Sequence, residues 1–164
     1  LRHRLVTMAD FASLKASITR PRSSVRLCLR GDLFAERERI TRDLARELQT
    51  NDSLAGSAVA SQLRDRAAAL DVEMNAATHE FTFEALPRSD FAALEDAHPA
   101  SDDGTPSREF FAALVAASLV APELTADNVA ELFDQLSDGQ VEVLENAAWR
   151  VNRETGSLPF SGSD

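Results

Sequence analysis

The sequence has one cysteine and no tyrosine in 164 residues, and each shortage removes a class of explanation. A lone Cys28 cannot close an intrachain disulfide, so nothing asks for an oxidising compartment and a cytoplasmic setting is expected. It has no metal-spaced companion, and His3, His79 and His98 are scattered, so no zinc set is visible. His79-Glu80 opens like a zincin motif, but Phe83 stands where the second histidine is required. No Walker A loop, no G-x-G-x-x-G and no G-x-S-x-G occurs. Asp102-Asp103-Gly104 lacks the spacing and closing glutamate of a calcium loop and reads as a solvated turn. No apolar run reaches roughly 18 residues and no apolar h-region follows the N-terminus, which argues against a conventional membrane span or signal peptide. With the common motifs missing together, an enzyme has no positive support. A non-enzymatic protein with no cofactor and no metal is expected.

Charge of one sign is also short in most of the chain. The formal net charge is −10, with residues 1–50 carrying +5 and residues 51–164 carrying −15. An acidic body repels nucleic-acid phosphates and anionic membranes, so neither is the expected partner. The basic N-terminal third alternates in sign from Glu36 onward, which reads as a solvated helix face. Hydrophobic content of 44% with only 6% aromatics suits an Ala-Leu-rich helical core. Cys28, in an alternating stretch, reads as a small buried hydrophobe.

What is present is mostly helical periodicity. Phe110, Phe111, Leu114, Val115, Ser118 and Leu119 recur at helical spacing until Pro122. Thr125 is placed to cap a helix striped by Val129, Leu132, Phe133 and Leu136. Ser137 to Gln140 has the form of a capping box opening a helix with Val141, Leu144, Ala148, Trp149 and Val151. Ser89 should cap a further helix with Phe91 and Leu94, ended by His98-Pro99. Towards the N-terminus, a short helix is expected from Ala9 to Ile18, then a linker from Thr19 to Ser24.

Val25 to Arg30 alternates as a strand, as does His79 to Glu84. Between them lie two helical segments: one capped by Asp32 and striped by Leu33, Ile40, Leu44 and Leu48, the other carrying Leu63, Ala67, Leu70, Met74 and Ala77. The 4-3-4-3 spacing of the second is that of a coiled-coil seam. A turn at Asn51-Asp52-Ser53 makes them an antiparallel hairpin, and the two strand-like segments at its feet can pair as a ribbon. An isolated ribbon would be marginal, so a covering surface is needed from the C-terminal helices or another protomer.

The expected fold is therefore mainly α: an N-terminal antiparallel helical hairpin, coiled-coil-like, with a short two-stranded β foot, followed by a compact C-terminal helical bundle. Residues 1–24 form a flexible segment in this reading, 25–84 the hairpin arm, 85–153 the helical domain and 154–164 a flexible tail. Met8 is a candidate translation start, which would leave Leu1 to Thr7 as a disordered extension. The candidate partner-binding residues are Leu44, Leu48, Leu63 and Leu70 on the seam, with Phe110, Phe111 and Trp149 on the aromatic faces.

The stretch Phe81-Thr82-Phe83-Glu84-Ala85-Leu86-Pro87-Arg88-Ser89-Asp90-Phe91, running on to His98-Pro99, resembles the tail assembly chaperones of long-tailed phages and prophages of actinobacteria. The resemblance resumes at Phe110 to Ser118, at Pro122-Glu123-Leu124, at Leu136 to Gln140 and at Ala147 to Asn152, and it extends back to Leu27 to Leu33 and the hairpin. It covers roughly residues 25–153 as a pattern of helix faces and turns. It implies an all-helical, non-enzymatic protein that binds the tape measure protein and helps recruit tail tube subunits, with self-association an open question and no catalytic residues to transfer. The competing readings are a permanent structural component of the tail and a general helical adaptor.

Overall fold

The computed structural model describes residues 8–50 and 57–154. The expectations for Leu1 to Thr7, for the turn at Asn51-Asp52-Ser53 and for the tail after Glu154 lie outside the described residues. Chain order is α1 (Met8–Ser17), β1 (Arg22–Cys28), α2 (Gly31–Thr50), α3 (Ala58–Ala76), β2 (Thr78–Glu84), α4 (Arg88–Ala97), α5 (Arg108–Ser118), β3 (Leu119–Ala121), α6 (Ala126–Gln135) and α7 (Asp138–Arg153). The described chain is mainly helical, with one small antiparallel sheet of order β1-β2-β3.

Val25 pairs with Phe81 and Leu27 with His79 in an antiparallel register, so the two alternating segments meet as their apolar pattern requires. The pairing also takes in Arg22, Ser23 and Ser24, read from sequence as linker. Arg22 and Arg20 both bind the Glu84 carboxylate, and the Ser24 and Thr82 hydroxyls hydrogen-bond at 2.8 Å. These cross-strand partners lengthen β1 where its own composition gives no strand signal.

The expected two-stranded foot is a three-stranded sheet. Leu119, read as the last apolar position of a helix, begins β3 and pairs with Phe83. Two local causes end α5 early: β-branched Val120, and Pro122, which disfavours helical backbone at Ala121. Val120 is the extra residue of a bulge between the Phe83–Leu119 and Thr82–Ala121 pairs.

The sheet and the C-terminal helices share one core. Leu27, Phe81 and Phe83 pack with Phe110, Leu114 and Val115 of α5, Val129 of α6, and Leu144, Ala148 and Val151 of α7. The covering surface that the ribbon needs therefore comes from its own chain, and the core continues across the boundary drawn between residues 84 and 85. Of the four expected caps, Thr125 and Ser137 form, and Ser107, which carried no such expectation, caps α5. Ser107 accepts from the Phe110 amide at 3.1 Å, and the boxes Thr125–Asn128 and Ser137–Gln140 are closed in both directions. Ser89 does not cap α4, which starts after Pro87. Asp32 is spent on Arg30, whose Nε lies 2.8 Å from its Oδ1, and α2 starts at Gly31.

Two side-chain amides fasten α7 at its ends. Gln140 Nε2 donates to the Cys28 carbonyl at 2.9 Å. Asn152 Nδ2 donates to Ser118 Oγ at 2.9 Å and to the Ala148 carbonyl at 2.8 Å, while its Oδ1 accepts from the Leu86 amide at 2.8 Å. α7 therefore runs against β1, beginning near Cys28 and ending near Leu86.

α2 and α3 pack on each other through a separate cluster, Leu33, Ile40, Ala67 and Leu70, with Leu63 and Met74 at its margin. Ion pairs join Glu36 to Arg66 and Arg37 to Asp71, each at 2.8 Å.

Candidate partner-binding surfaces

The seven residues singled out from sequence fall into three environments. Leu70 and Phe110 are core residues, 0% and 2% exposed, so they support a surface without forming one. Leu63, Leu44, Phe111 and Trp149 are half-buried. Leu48 alone is open, at 50%. The expected seam is thus divided: Leu63 and Leu70 face the α2–α3 cluster, whereas Leu48 lies outside it.

The aromatic residues do come together. Phe110 lies 5.5 Å from Phe111 and 6.3 Å from Trp149, and Phe111 is 5.9 Å from Trp149, all edge-on. Phe91 of α4 joins them at 6.0 Å from Phe110. The Arg153 guanidinium lies 5.1 Å from the centre of the Trp149 ring and 5.9 Å from that of Phe91. Edge-on packing satisfies the ring quadrupoles, and the arginine covers the outer face. The arrangement reads as a cluster that fixes α4, α5 and α7 together, with Phe111 and Trp149 at its rim.

Among the described residues an apolar group stands exposed on and just after α1, a helix expected from the sequence. Phe11 and Leu14 of α1 and Ile18, one residue past its end, are 64%, 61% and 73% exposed and recur at i, i+3 and i+7, the spacing of one side of a helix. None of them belongs to either core. Their spacing was the available signal. Phe34, Val59 and Val72 are also more than half exposed, along α2 and α3.

Several titratable groups are shifted by their neighbours. Hydrogen bonds and charge from Arg20 and Arg22 hold the Glu84 carboxyl below the ordinary glutamate range. Hydrogen bonds from Thr105 do the same for Asp103, whose Oδ1 accepts from the Thr105 amide beside Gly104, where φ is +83°. Burial pushes the Glu145 carboxyl up, with Glu142 and Asp138 adding to the rise and Arg108 opposing it. Cys28 is buried, its thiol 3.8 Å from the Arg30 carbonyl. Among the described residues no group of three or more His, Cys, Asp or Glu side chains could hold a metal ion, and no helix is long and apolar enough to cross a membrane. No family model, curated protein or solved structure matches this chain.

Proposed function

We propose that this protein is a non-enzymatic chaperone of phage tail assembly, which binds the tape measure protein and helps bring tail tube subunits to it in the host cytoplasm. The reading starts from the sequence resemblance over residues 25–153. The observation that carries it further is the apolar group left in solvent at the N-terminus: Phe11 and Leu14 on a helix of ten residues, with Ile18 just past its end. Helices shorter than about 12 residues are marginal in water without tertiary packing. Burying three such side chains against a partner offers roughly 4–8 kcal/mol before the costs of association. That suits reversible capture of an apolar client, and the acidic body would keep the complex soluble. In this reading α2 and α3 form an antiparallel, coiled-coil-like hairpin arm, an arrangement supported by the contacts of Arg37 with Asp71 and of Glu47 with Ser57.

Co-expression with the tape measure protein of the same gene neighbourhood tests the proposal, with an unrelated coiled coil as control. Selective capture that keeps the partner soluble is expected, and replacing Phe11, Leu14 and Ile18 together by serine should abolish it. Because these side chains lie outside both cores, the triple variant should unfold within about 0.5 kcal/mol of the parent. An insoluble tape measure protein beside a freely soluble chain would overturn the proposal. Stoichiometric presence in purified particles would instead favour a permanent tail component.

A further inference from the structure

The sheet has an open edge beside a helix. With Arg22 opposite Glu84 in the register, the Ala85 amide donates to the Pro21 carbonyl and the Leu29 amide donates to the Ala77 carbonyl. Antiparallel pairs alternate between bonded and non-bonded positions, so the odd-numbered residues of β1 bond to β2. The even-numbered residues Arg22, Ser24, Arg26 and Cys28 turn their amides and carbonyls to the other side. Cys28 has its carbonyl taken by Gln140. The remaining three residues present an unpaired ladder.

That edge borders a groove of about 620 Å³, walled on its far side by Val143, Ala147 and Val151 of α7. Val143 is 37% exposed there. A strand laid on β1 would have one row of side chains over this apolar wall. Its other row would stand beside Arg22, Ser24 and Arg26 on the outer face of the sheet, since directly opposed residues share a face.

We infer that the β1–α7 groove binds an extended segment by antiparallel strand addition, with acidic side chains opposite Arg22 and Arg26 and apolar ones opposite Ser23 and Val25. Charge selects this occupant over a second copy of the chain. In the register that uses all three residues, β1 against β1 would set Arg22 beside the other copy's Arg26 twice, and like charges directly opposed are destabilising. Glu84, which holds Arg20 and Arg22, and Glu80, opposite Arg26, lie on β2, one strand further from the occupant. Arg150 and Glu154 pair with each other at the groove's end. The inference does not depend on which protein supplies the segment, and so stands apart from the chaperone reading.

The probe is a terminally blocked peptide, Gly-Gly-Glu-Val-Thr-Val-Glu-Gly-Gly, titrated into the whole chain and followed by amide NMR. Shifts and slowed exchange are expected at Ser24 and Arg26. A peptide with lysine in place of both glutamates should bind about tenfold more weakly. Methylating the glutamate and threonine amides, which would face β1, should abolish binding, whereas methylating the valine amides, which would face solvent, should leave it within about twofold. Ser24→Pro deletes an outward amide and spares the backbone ladder to β2, losing only the hydroxyl bond to Thr82, and should weaken binding at least tenfold. Should that variant fail to fold, Arg26→Glu serves, with the preference between the glutamate and lysine peptides expected to narrow or reverse. Equal binding of both methylated peptides, no detectable binding of the glutamate peptide, or shifts confined to α1 or α3 would overturn the inference. So would a dimer of the chain that Ser24→Pro dissolves, because the edge would then belong to a second copy.

Discussion

Asn152 offers a measurable test of how the C-terminal helices are held to the sheet. Its amide is donor to Ser118 Oγ and the Ala148 carbonyl and acceptor for the Leu86 amide. Ser118 is the one polar side chain among the described buried residues, at 1% exposed. Asn152→Leu keeps the volume and removes all three bonds. The Ala148 carbonyl still has its place in the α7 ladder, so two groups lose their partner: the Leu86 amide and the Ser118 hydroxyl. An unsatisfied buried group costs about 1–3 kcal/mol. Asn152 is half-buried, so water reaches part of the site, and a total of about 2–4 kcal/mol is expected. For a chain of this size that is a fall of about 4–16 °C in Tm. Urea unfolding followed by far-ultraviolet circular dichroism is the suitable assay, because Trp149 lies one turn away and its fluorescence would respond locally. Ser118→Ala should recover part of the loss in a double-mutant cycle, with a coupling of about 1 kcal/mol. A change below about 0.5 kcal/mol in Asn152→Leu, or strict additivity with Ser118→Ala, would refute the assignment.

Leu70→Ala should cost about 2–5 kcal/mol, since the side chain is 0% exposed and its removal leaves a cavity between α2 and α3. Leu48→Ala, at 50% exposed, should cost under about 1 kcal/mol, so equal effects in urea unfolding would contradict the division of the seam. Glu84 has its folded pKa lowered by Arg20 and Arg22. Its contribution is therefore complete above the ordinary glutamate value of about 4.3 and is lost as pH falls towards the folded value. Stability measured from about pH 6 down to 3 should fall less steeply in Glu84→Gln than in the parent, and parallel curves would show that the two ion pairs add nothing.

Much of the helical fold is legible in local sequence because its signals are local. The capping pairs Thr125–Asn128 and Ser137–Gln140 and the stripes on α5, α6 and α7 each need only one turn or one face to be recognised. The misreadings occur where another side chain or strand, near or far, takes over the groups that the local pattern assigns. Arg22 to Ser24 look like linker until Glu84 and Thr82 stand opposite them. Asp32 looks like a cap until Arg30 takes its carboxylate. Leu119 fits the helical stripe, yet the edge of β2 gives its backbone another set of bonds and its side chain a place beside Phe83. Gln140 shows both cases in one residue: its capping role can be read three positions away, whereas its bond to Cys28 spans 112 positions and cannot.

The same distinction governs the candidate surfaces. Periodicity identifies apolar residues but does not say whether a second element covers them, and that decides between core and interface. Leu70 and Phe110 satisfy the helical pattern as well as Phe11 and Leu14 do, yet the first two are covered and the last two are not. The difference arises from connectivity. α2 and α3 face each other, and α5 is enclosed by β2, α6 and α7, whereas Arg20 to Ser24 are committed to Glu84 and Thr82 and tie the chain to the sheet directly after α1. The residues that extend β1 thereby hold α1 at the start of the open edge, so a client that engaged Phe11, Leu14 and Ile18 would already be next to the unpaired amides of Arg22, Ser24 and Arg26. On the two proposals together, the apolar row and the edge, with three residues between Ile18 and Arg22, would act at high effective concentration on one client. Loss of either the apolar row or the edge should then weaken capture by more than the separate affinity of that site accounts for.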